Sequence, residues 1–136
     1  MTEMTSLRLE FFVHDVETSE RFYTEIIGFS VDDAQSSPSY RSLMRDDVRI
    51  SLQAREGLSR EHPLHYHNER PGLGIEIVIE VDDVDDCYQI IAGLIPVEST
   101  LELRPWGLRD FRVLDPDGIY LRITEPRRER VSRPSP

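Results

Sequence analysis

The sequence contains no lysine, so all 16 of its basic residues are arginine, and they are outnumbered by 26 acidic residues. The net charge of −10 argues against DNA or RNA as the main partner, because contacts with phosphates need a basic face. Long apolar runs are also missing. None approaches the roughly 20 residues of a membrane-spanning helix, so we expect no membrane partner.

Cysteine is nearly absent as well. Cys87 is the only one, so no disulfide can form within the chain, which is typical of the reducing cytoplasm. Residues 1–6 show no basic stretch followed by an apolar core, so the sequence predicts no secretory signal peptide. We therefore expect a cytoplasmic location.

The acidic excess is unevenly distributed along the chain. Residues 127–136 carry four arginines and one glutamate, or +3, which leaves 12 arginines against 25 acids, or −13, in residues 1–126. The last ten residues are polar and rich in arginine and proline, which predicts a tail outside the core. The expected organisation is one domain over residues 1–126 followed by this tail.

Two segments of the chain share a pattern. Residues 7–23, LRLEFFVHDVETSERFY, align with residues 75–91, IEIVIEVDDVDDCYQII, at a shift of 68 positions. In each segment the apolar residues alternate first, as in a strand, and then follow helical spacing. Asp15 and Asp83 stand where helix N-caps are expected, and Gly28 and Gly93 where the helices should end.

Three further strand-like segments follow each predicted helix. They are residues 28–33, 40–45 and 48–54 in the first half, and residues 96–101, 109–114 and 119–125 in the second. Asp115-Pro116-Asp117-Gly118 predicts a tight turn between the last two. Each half is therefore predicted to be a βαβββ module, about residues 7–54 and 75–126, with a linker at 55–74. One module alone would be marginally stable, so we expect a single α+β domain built from two tandem modules.

This order of motifs resembles the vicinal oxygen chelate superfamily, which includes glyoxalase I, extradiol dioxygenases and bleomycin-resistance proteins. The motifs are VHDV at 13–16, VDDV at 81–84 and DPDG at 115–118. Pro105-Trp106-Gly107 ahead of Arg109-Asp110-Phe111 is similar to the bleomycin-resistance branch in particular. The resemblance implies a curved, cup-shaped mixed sheet with helices on its convex side and a ligand site on the concave side.

Metal-dependent members of that superfamily place four His, Gln or Glu ligands in the cup, two from each module. Matched by position, the resemblance assigns those places to Arg8, Ser51, Glu76 and Arg122. Two guanidiniums, one hydroxyl and one carboxylate do not make a divalent metal site. We therefore expect no metal and no other cofactor, and neither glyoxalase I nor iron-dependent dioxygenase activity.

Strand alternation predicts a polar, charge-mixed cup. The residues expected to contact a ligand are Arg8, Glu10, Tyr40, Ser51, Glu76, Trp106, Tyr120 and Arg122. Arg8 and Glu76 occupy equivalent places in the two modules and should approach each other. Two interpretations stay open for the cluster of Arg8, Glu76 and Arg122. It is either a structural ion cluster, or a site whose surplus arginine charge binds a ligand carboxylate or phosphate.

Trp106, the only tryptophan, lies in a loop just before a predicted strand, and binding residues are common in loops at the rim of a cup. In the bleomycin-resistance branch the matching aromatic stacks on flat rings of the drug, so the resemblance implies that role here. The alternative is that Trp106 packs on its own subunit or on a dimer partner.

Three histidines, His62, His65 and His67, lie close together in the predicted linker. They fall outside both repeats, and Glu69 follows too soon for a cupin-type metal motif, so an exposed linker is favoured over a metal site. Cys87 lies on the apolar stripe of the second helix, which predicts a small buried side chain and not a nucleophile.

The main functional hypothesis is a metal-independent, homodimeric small-molecule binding protein of the bleomycin-resistance type. It would hold a ligand such as a cationic, flat-ringed toxin in the cup and sequester it, with the acidic core attracting the cation. One alternative is a divergent glyoxalase-like lyase or isomerase, or a dioxygenase-related enzyme, with Glu76 as general base and Arg8 or Arg122 stabilising an oxyanion. Another is a structural or regulatory dimer whose cup is filled by its own side chains.

Overall fold

The computed structural model describes residues 1–66 and 70–127, which contain two four-stranded sheets. The elements of the first half are β1 (Leu9–Val13), α1 (Val16–Arg21), β2 (Ser30–Val31), β3 (Tyr40–Arg45) and β4 (Val48–Ala54). Those of the second half are β5 (Ile77–Glu80), α2 (Val84–Ala92), β6 (Ser99–Leu103), β7 (Arg109–Leu114) and β8 (Tyr120–Thr124). The α+β class and the tandem βαβββ modules are therefore confirmed.

Both sheets are mixed and have the same connectivity. The strand orders are β1-β4-β3-β2 and β5-β8-β7-β6. The first strand of each module runs parallel to the last, and the other pairs are antiparallel. No helix in the described part of the chain is long and apolar enough to cross a bilayer.

Local sequence signals place most element ends correctly. A carboxylate oxygen of Asp15 accepts a hydrogen bond from the Glu17 N–H at 3.1 Å, and one of Asp83 accepts from the Asp86 N–H at 3.0 Å, so both predicted N-caps are present. Gly93 follows the last residue of α2, as predicted. Cys87 is half-buried, so the prediction of full burial is wrong in degree.

β2 and β6 differ most from the prediction, whereas β8 is one residue shorter at each end. β2 is limited to Ser30–Val31, because Gly28 with φ +94° precedes it and a short 3₁₀ turn over Asp33–Gln35 follows it. β6 begins at Ser99 rather than at residue 96, and its register with β7 shifts between Ser99 and Glu102. Pro96 lacks the N–H that a paired strand residue donates, which favours the later start.

Helix α1 continues as a π-helical turn over Phe22–Ile26, which places Tyr23 in the core of the first half. Tyr23 is only 1% exposed, and its ring contacts those of Phe11, Phe22 and Phe29 at centroid distances of 5.9, 5.0 and 6.2 Å. Burial, reinforced by the nearby Asp115 carboxylate, holds the pKa of Tyr23 well above its usual value.

The chain divides into two compact units. Unit 1 comprises Met1–Pro71 together with Asp115–Gly118, and unit 2 comprises Gly72–Leu114 together with residues 119–127. The predicted turn Asp115–Gly118 thus packs with unit 1, although it joins β7 to β8. Its two carboxylates accept hydrogen bonds from unit 1: the Tyr23 hydroxyl (2.7 Å), the Ser19 hydroxyl (3.2 Å) and the His14 N–H (2.9 Å).

The predicted linker is not uniformly exposed. His62 is exposed, whereas His65 and Tyr66 are half-buried, and the Tyr66 hydroxyl donates to the Phe12 carbonyl at 2.8 Å. The Arg55 guanidinium lies 4.8 Å from the centre of the Tyr66 ring. His67 and residues 128–136 of the predicted tail lie outside the described residues.

Candidate functional site

The sheet of unit 2 has one apolar and one polar face. Its apolar face is fully buried at Phe111, Val113, Leu121 and Ile123 and packs toward α2, with the Tyr88 ring 5.0 Å from the Phe111 ring. Alternation along β5, β7 and β8 puts a second set of side chains on the opposite face. This polar face consists of Val78, Glu80, Asp110, Arg112, Tyr120, Arg122 and Thr124.

A network of charges, which we call the arginine network, occupies the polar face and its margin. Its members are Glu76, Glu102, Arg104, Asp110, Arg112 and Arg122. Asp110 is 0% exposed. Its Oδ1 accepts from Arg104 Nε at 2.7 Å and from Arg112 Nη1 at 3.1 Å. Its Oδ2 lies 4.0 Å from Arg122 Nη1, a charge contact beyond hydrogen-bonding distance.

Glu76 connects two arginines of the network. Its Oε2 accepts from Arg112 Nε at 3.0 Å, and its Oε1 lies 3.3 Å from Arg122 Nε, again as a charge contact. Arg104 Nη1 donates to Glu102 at 3.1 Å, so three arginines face three carboxylates. Arg122 therefore brings no surplus positive charge within unit 2, and both interpretations of the cluster of Arg8, Glu76 and Arg122 stay open.

Four members of this network, Glu102, Arg104, Asp110 and Arg112, were not predicted from the sequence. Asp110 and Arg112 alternate with the buried Phe111 and Val113 along β7, so the same period-two argument could have placed them on the polar face. Arg104 lies outside a strand and carries no such signal. Arg8 belongs to unit 1 and is exposed there, and its approach to Glu76 stays a prediction.

Trp106 lies in a tight turn between β6 and β7. The Gly107 N–H donates to the Arg104 carbonyl and the Arg104 N–H donates to the Leu108 carbonyl, both at 2.9 Å, and Gly107 has φ +91°, which favours glycine. The Trp106 side chain is 54% exposed. The Arg122 guanidinium lies 5.5 Å from the ring centre, within cation–π range. Two residues predicted for the site are thus in contact.

Unit 2 contains a pocket of about 1220 Å³ beside this pair. Its lining residues are Val78, Glu80, Trp106, Gly107, Leu108, Arg122, Thr124, Glu125, Pro126 and Arg127. The Glu125 carboxylate accepts hydrogen bonds from the N–H and the guanidinium of Arg109, and these lower its pKa. Glu80 accepts from the Arg127 N–H at 2.8 Å but makes no ion pair among residues 1–66 and 70–127.

The other predicted site residues are distributed as follows. Glu10 and Ser51 lie opposite each other on β1 and β4 of unit 1, Glu10 exposed and Ser51 only 2% exposed. Tyr40 begins β3 and is half-buried. Tyr120 is half-buried on β8 of unit 2, two residues before Arg122 on the same face. Their contact with a ligand stays a prediction.

The two superfamily metal positions in unit 2 do not fit a metal ion. Both oxygens of Glu76 already face guanidiniums, and the second position is itself a guanidinium, which has no lone pair to offer. A divalent cation here would meet positive charge. Elsewhere in the described ranges, no group of three or more His, Cys, Asp or Glu side chains is arranged to hold one.

The fold and the motifs define a glyoxalase-like α+β protein, and comparison with known proteins specifies the family. The model of the Glyoxalase/Bleomycin resistance protein/Dioxygenase superfamily matches residues 5–123, and the chain belongs to this superfamily. It is 30% identical over 113 residues to the bleomycin resistance protein of Geobacillus stearothermophilus and to that of Staphylococcus aureus, over 77% of this chain and 84% of each relative. The resemblance to bleomycin-resistance proteins is therefore confirmed.

Solved structures show the same fold. A protein of unknown function from Agrobacterium tumefaciens matches with a TM-score of 0.76 at 24% identity, over 93% of this chain and 97% of that one. A bleomycin-binding protein from Streptomyces verticillus, solved with copper(II)-bleomycin, matches with a TM-score of 0.66 at 20% identity, over 93% of this chain and 100% of that one.

Proposed function

We propose that this protein, which is related to bleomycin resistance proteins and similar in fold to a bleomycin-binding protein, is a metal-independent binding protein that sequesters a small molecule with a flat ring and a cationic group. The observation that carries the proposal is the half-exposed Trp106 ring beside the pocket of unit 2, in a chain related to those proteins. An exposed indole supported from one side is a stacking surface for an aromatic ligand.

The charges around the pocket favour a cationic group on that ligand. Arg122 is compensated by Glu76 and Asp110, and Glu125 is compensated by Arg109. Glu80 lines the same pocket and faces no cation within the described ranges. The overall charge of −10 adds long-range attraction for a cation, which increases the association rate at low salt.

Two alternatives, an enzyme that uses Glu76 as general base and a binding protein for an acidic ligand, are less well supported. A general base needs a carboxylate oxygen directed at its substrate, whereas both oxygens of Glu76 face arginines. An acidic ligand on Arg122 would have to displace Glu76. Binding and sequestration need neither step, so they fit the polar face of unit 2 better than catalysis does.

We also propose that the protein acts as a cytoplasmic homodimer. Among the described residues each sheet ends in two edge strands, and a twofold dimer, which can cover such edges, is the commonest oligomer of soluble proteins. Light scattering at micromolar concentration should give twice the chain mass of 15.8 kDa. A monomeric mass would refute this part of the proposal alone.

Calorimetric titration with metal-free bleomycin tests the function. The wild type should bind it saturably with EDTA present, and mass spectrometry should recover the drug unchanged. Trp106→Ala should weaken binding about ten- to a hundredfold through loss of stacking. Glu80→Gln should weaken it and reduce its salt dependence, whereas Glu98→Gln, the same charge change at an exposed position outside the pocket, should not. Absence of binding, dependence on added metal, or a chemically altered drug would overturn the proposal.

A further inference from the structure

Asp110 is the point at which three parts of unit 2 meet. It is fully buried, yet its carboxylate faces Arg104 from the turn that holds Trp106, Arg112 from its own strand and Arg122 from β8. A buried carboxylate costs folding free energy unless it is paired, and the three guanidiniums supply that pairing. Two of the three arginines are also connected to Trp106: Arg104 lies in the same turn, and Arg122 contacts the ring.

The first connection runs through the base of the Trp106 turn. Beyond its 2.7 Å bond to Asp110, the Arg104 guanidinium donates to the Ser99 hydroxyl at 2.6 Å and to the Thr100 carbonyl at 3.2 Å. Its backbone closes the turn through Gly107 and Leu108. The residue two positions before the tryptophan is thus fixed by both its side chain and its main chain.

The second connection runs through the ring itself. Arg122 lies 5.5 Å from the centre of the Trp106 ring and is held by Glu76 at 3.3 Å and Asp110 at 4.0 Å. A guanidinium fixed in this way can hold an aromatic ring in one orientation. Without it, a half-exposed indole would exchange among rotamers or fold onto apolar neighbours such as Leu108 in the pocket wall.

We propose that Asp110 is the positioning residue of the binding site, and that it fixes Trp106 through Arg104 on the main-chain side and through Arg122 on the ring side. A stacking surface ordered in advance avoids part of the entropy that a ligand would otherwise have to offset. One face of the indole is occupied by a cation, so a ligand ring stacks on the other face and carries its own positive charge elsewhere. This consequence for the ligand rests on the proposed function, whereas the positioning of Trp106 does not.

Fluorescence tests the positioning without any ligand, because Trp106 is the only tryptophan in the chain. Acrylamide quenching and time-resolved anisotropy would be compared for wild type, Asp110→Asn, Arg122→Gln, Arg122→Lys and Arg104→Gln, each well below its melting temperature. Arg41→Gln is the matched control, because Arg41 is also a largely buried, ion-paired arginine, but in unit 1.

Asp110→Asn and Arg122→Gln should lower the population of the ordered ring about two- to fivefold, as expected for loss of a cation–π contact. Quenching should then increase and the anisotropy should decay faster. Arg122→Lys should restore part of the wild-type quenching and anisotropy. Arg41→Gln should lower the melting temperature but leave the quenching and anisotropy unchanged. If Asp110→Asn does not fold, Arg122→Gln and Arg104→Gln decide the question, because each removes one connection.

Asp110→Asn, Arg122→Gln and Arg104→Gln each break a connection between Asp110 and Trp106. If every one of these variants that folds has the quenching and anisotropy of the wild type, the inference is overturned. Titration with metal-free bleomycin separates it from the proposed function. A wild type that does not bind the drug, with variants that still free the ring, would refute the function and leave the positioning intact. If the wild type binds the drug, and the variants neither free the Trp106 ring nor bind the drug less tightly, the positioning alone is refuted.

Discussion

The two sheets share one strand order but carry different chemistry at equivalent places. Across the middle of unit 1, Ser51 lies between Glu10 and Ser42. Across the middle of unit 2, the matching row is Val78, Arg122 and Arg112. Where unit 1 has two small buried hydroxyls, unit 2 has two guanidiniums.

This difference explains why that face of unit 2 needs carboxylates paired with its guanidiniums. A serine hydroxyl is neutral and can be buried with one or two hydrogen bonds, whereas a guanidinium stays charged and must be paired. Unit 2 meets that need with Glu76 and the fully buried Asp110. Its polar face thereby gains a rigid, charged framework that the serine row of unit 1 does not provide.

Removing the buried charge of Asp110 should have the largest effect on the free energy of unfolding. Asp110→Ala leaves Arg104 and Arg112 without their shared carboxylate, so we expect the free energy of unfolding to fall by about 3–5 kcal/mol. This loss is measured by urea denaturation, with unfolding monitored by circular dichroism. A loss below 1 kcal/mol would show that the arginines find other partners, and that the network is not a framework.

A single buried hydrogen bond in unit 1 should matter less. Tyr23→Phe removes the donor at 2.7 Å from Asp115 and should lower the free energy of unfolding by about 1–3 kcal/mol. Tyr40→Phe, at a half-buried position on the same unit, is the control and should change it by less than about 0.5 kcal/mol. Equal losses in the two variants would contradict the importance of the contact with the turn.

The serine row should be the most tolerant part of the comparison. Ser42→Ala and Ser51→Ala each remove one buried neutral hydroxyl, and we expect a loss below about 1 kcal/mol for each by the same urea measurement. A loss from Ser51→Ala as large as that from Asp110→Ala would mean that the buried serine and the buried aspartate contribute equally to the free energy of unfolding.

The smallest expected effect is a pH dependence of the free energy of unfolding. It arises from ion pairs on the helix side of the unit 2 sheet. Arg109 pairs with Asp85 at 2.8 Å and with Glu125 at 3.2 Å, and its hydrogen bonds lower the pKa of both carboxyls below their ordinary values of 3.8 and 4.5. Lowered pKa values mean that this stabilisation is complete above those ordinary values and is lost as the pH falls through the folded-state values.

Arg109→Gln tests that dependence. At pH 7 the variant should unfold at a lower urea concentration than the wild type, and the difference should shrink as the pH falls below the ordinary carboxyl values. A difference that is the same at every pH would show that the loss comes from packing of the Arg109 side chain instead.

Local patterns predicted most of the fold, and they predicted the site only in part. Alternation placed β3, β4 and β7 to the residue, and the two aspartate caps needed only their own neighbours. Trp106 and Arg122 had been assigned to the site separately from the sequence, and their contact is seen only in the structure. The importance of Asp110 depends on arginines that meet only after β6, β7 and β8 have paired, and no local pattern records that meeting.

The turn Asp115–Gly118 shows the same limit. Its residue types predicted a turn, but the acceptor for the Tyr23 hydroxyl lies 92 positions away along the chain. Such a contact is a property of the finished fold and not of either segment.

The same turn has a consequence for synthesis on the ribosome. Tyr23, Ser19 and the His14 N–H are made early, but the carboxylates that accept their hydrogen bonds arrive only with Asp115 and Asp117. A nascent chain released at residue 71 would have the strands of unit 1 and a buried tyrosine hydroxyl without the carboxylate it bonds in the finished fold. The first half of this protein therefore gains these acceptors only after most of the second half has been translated.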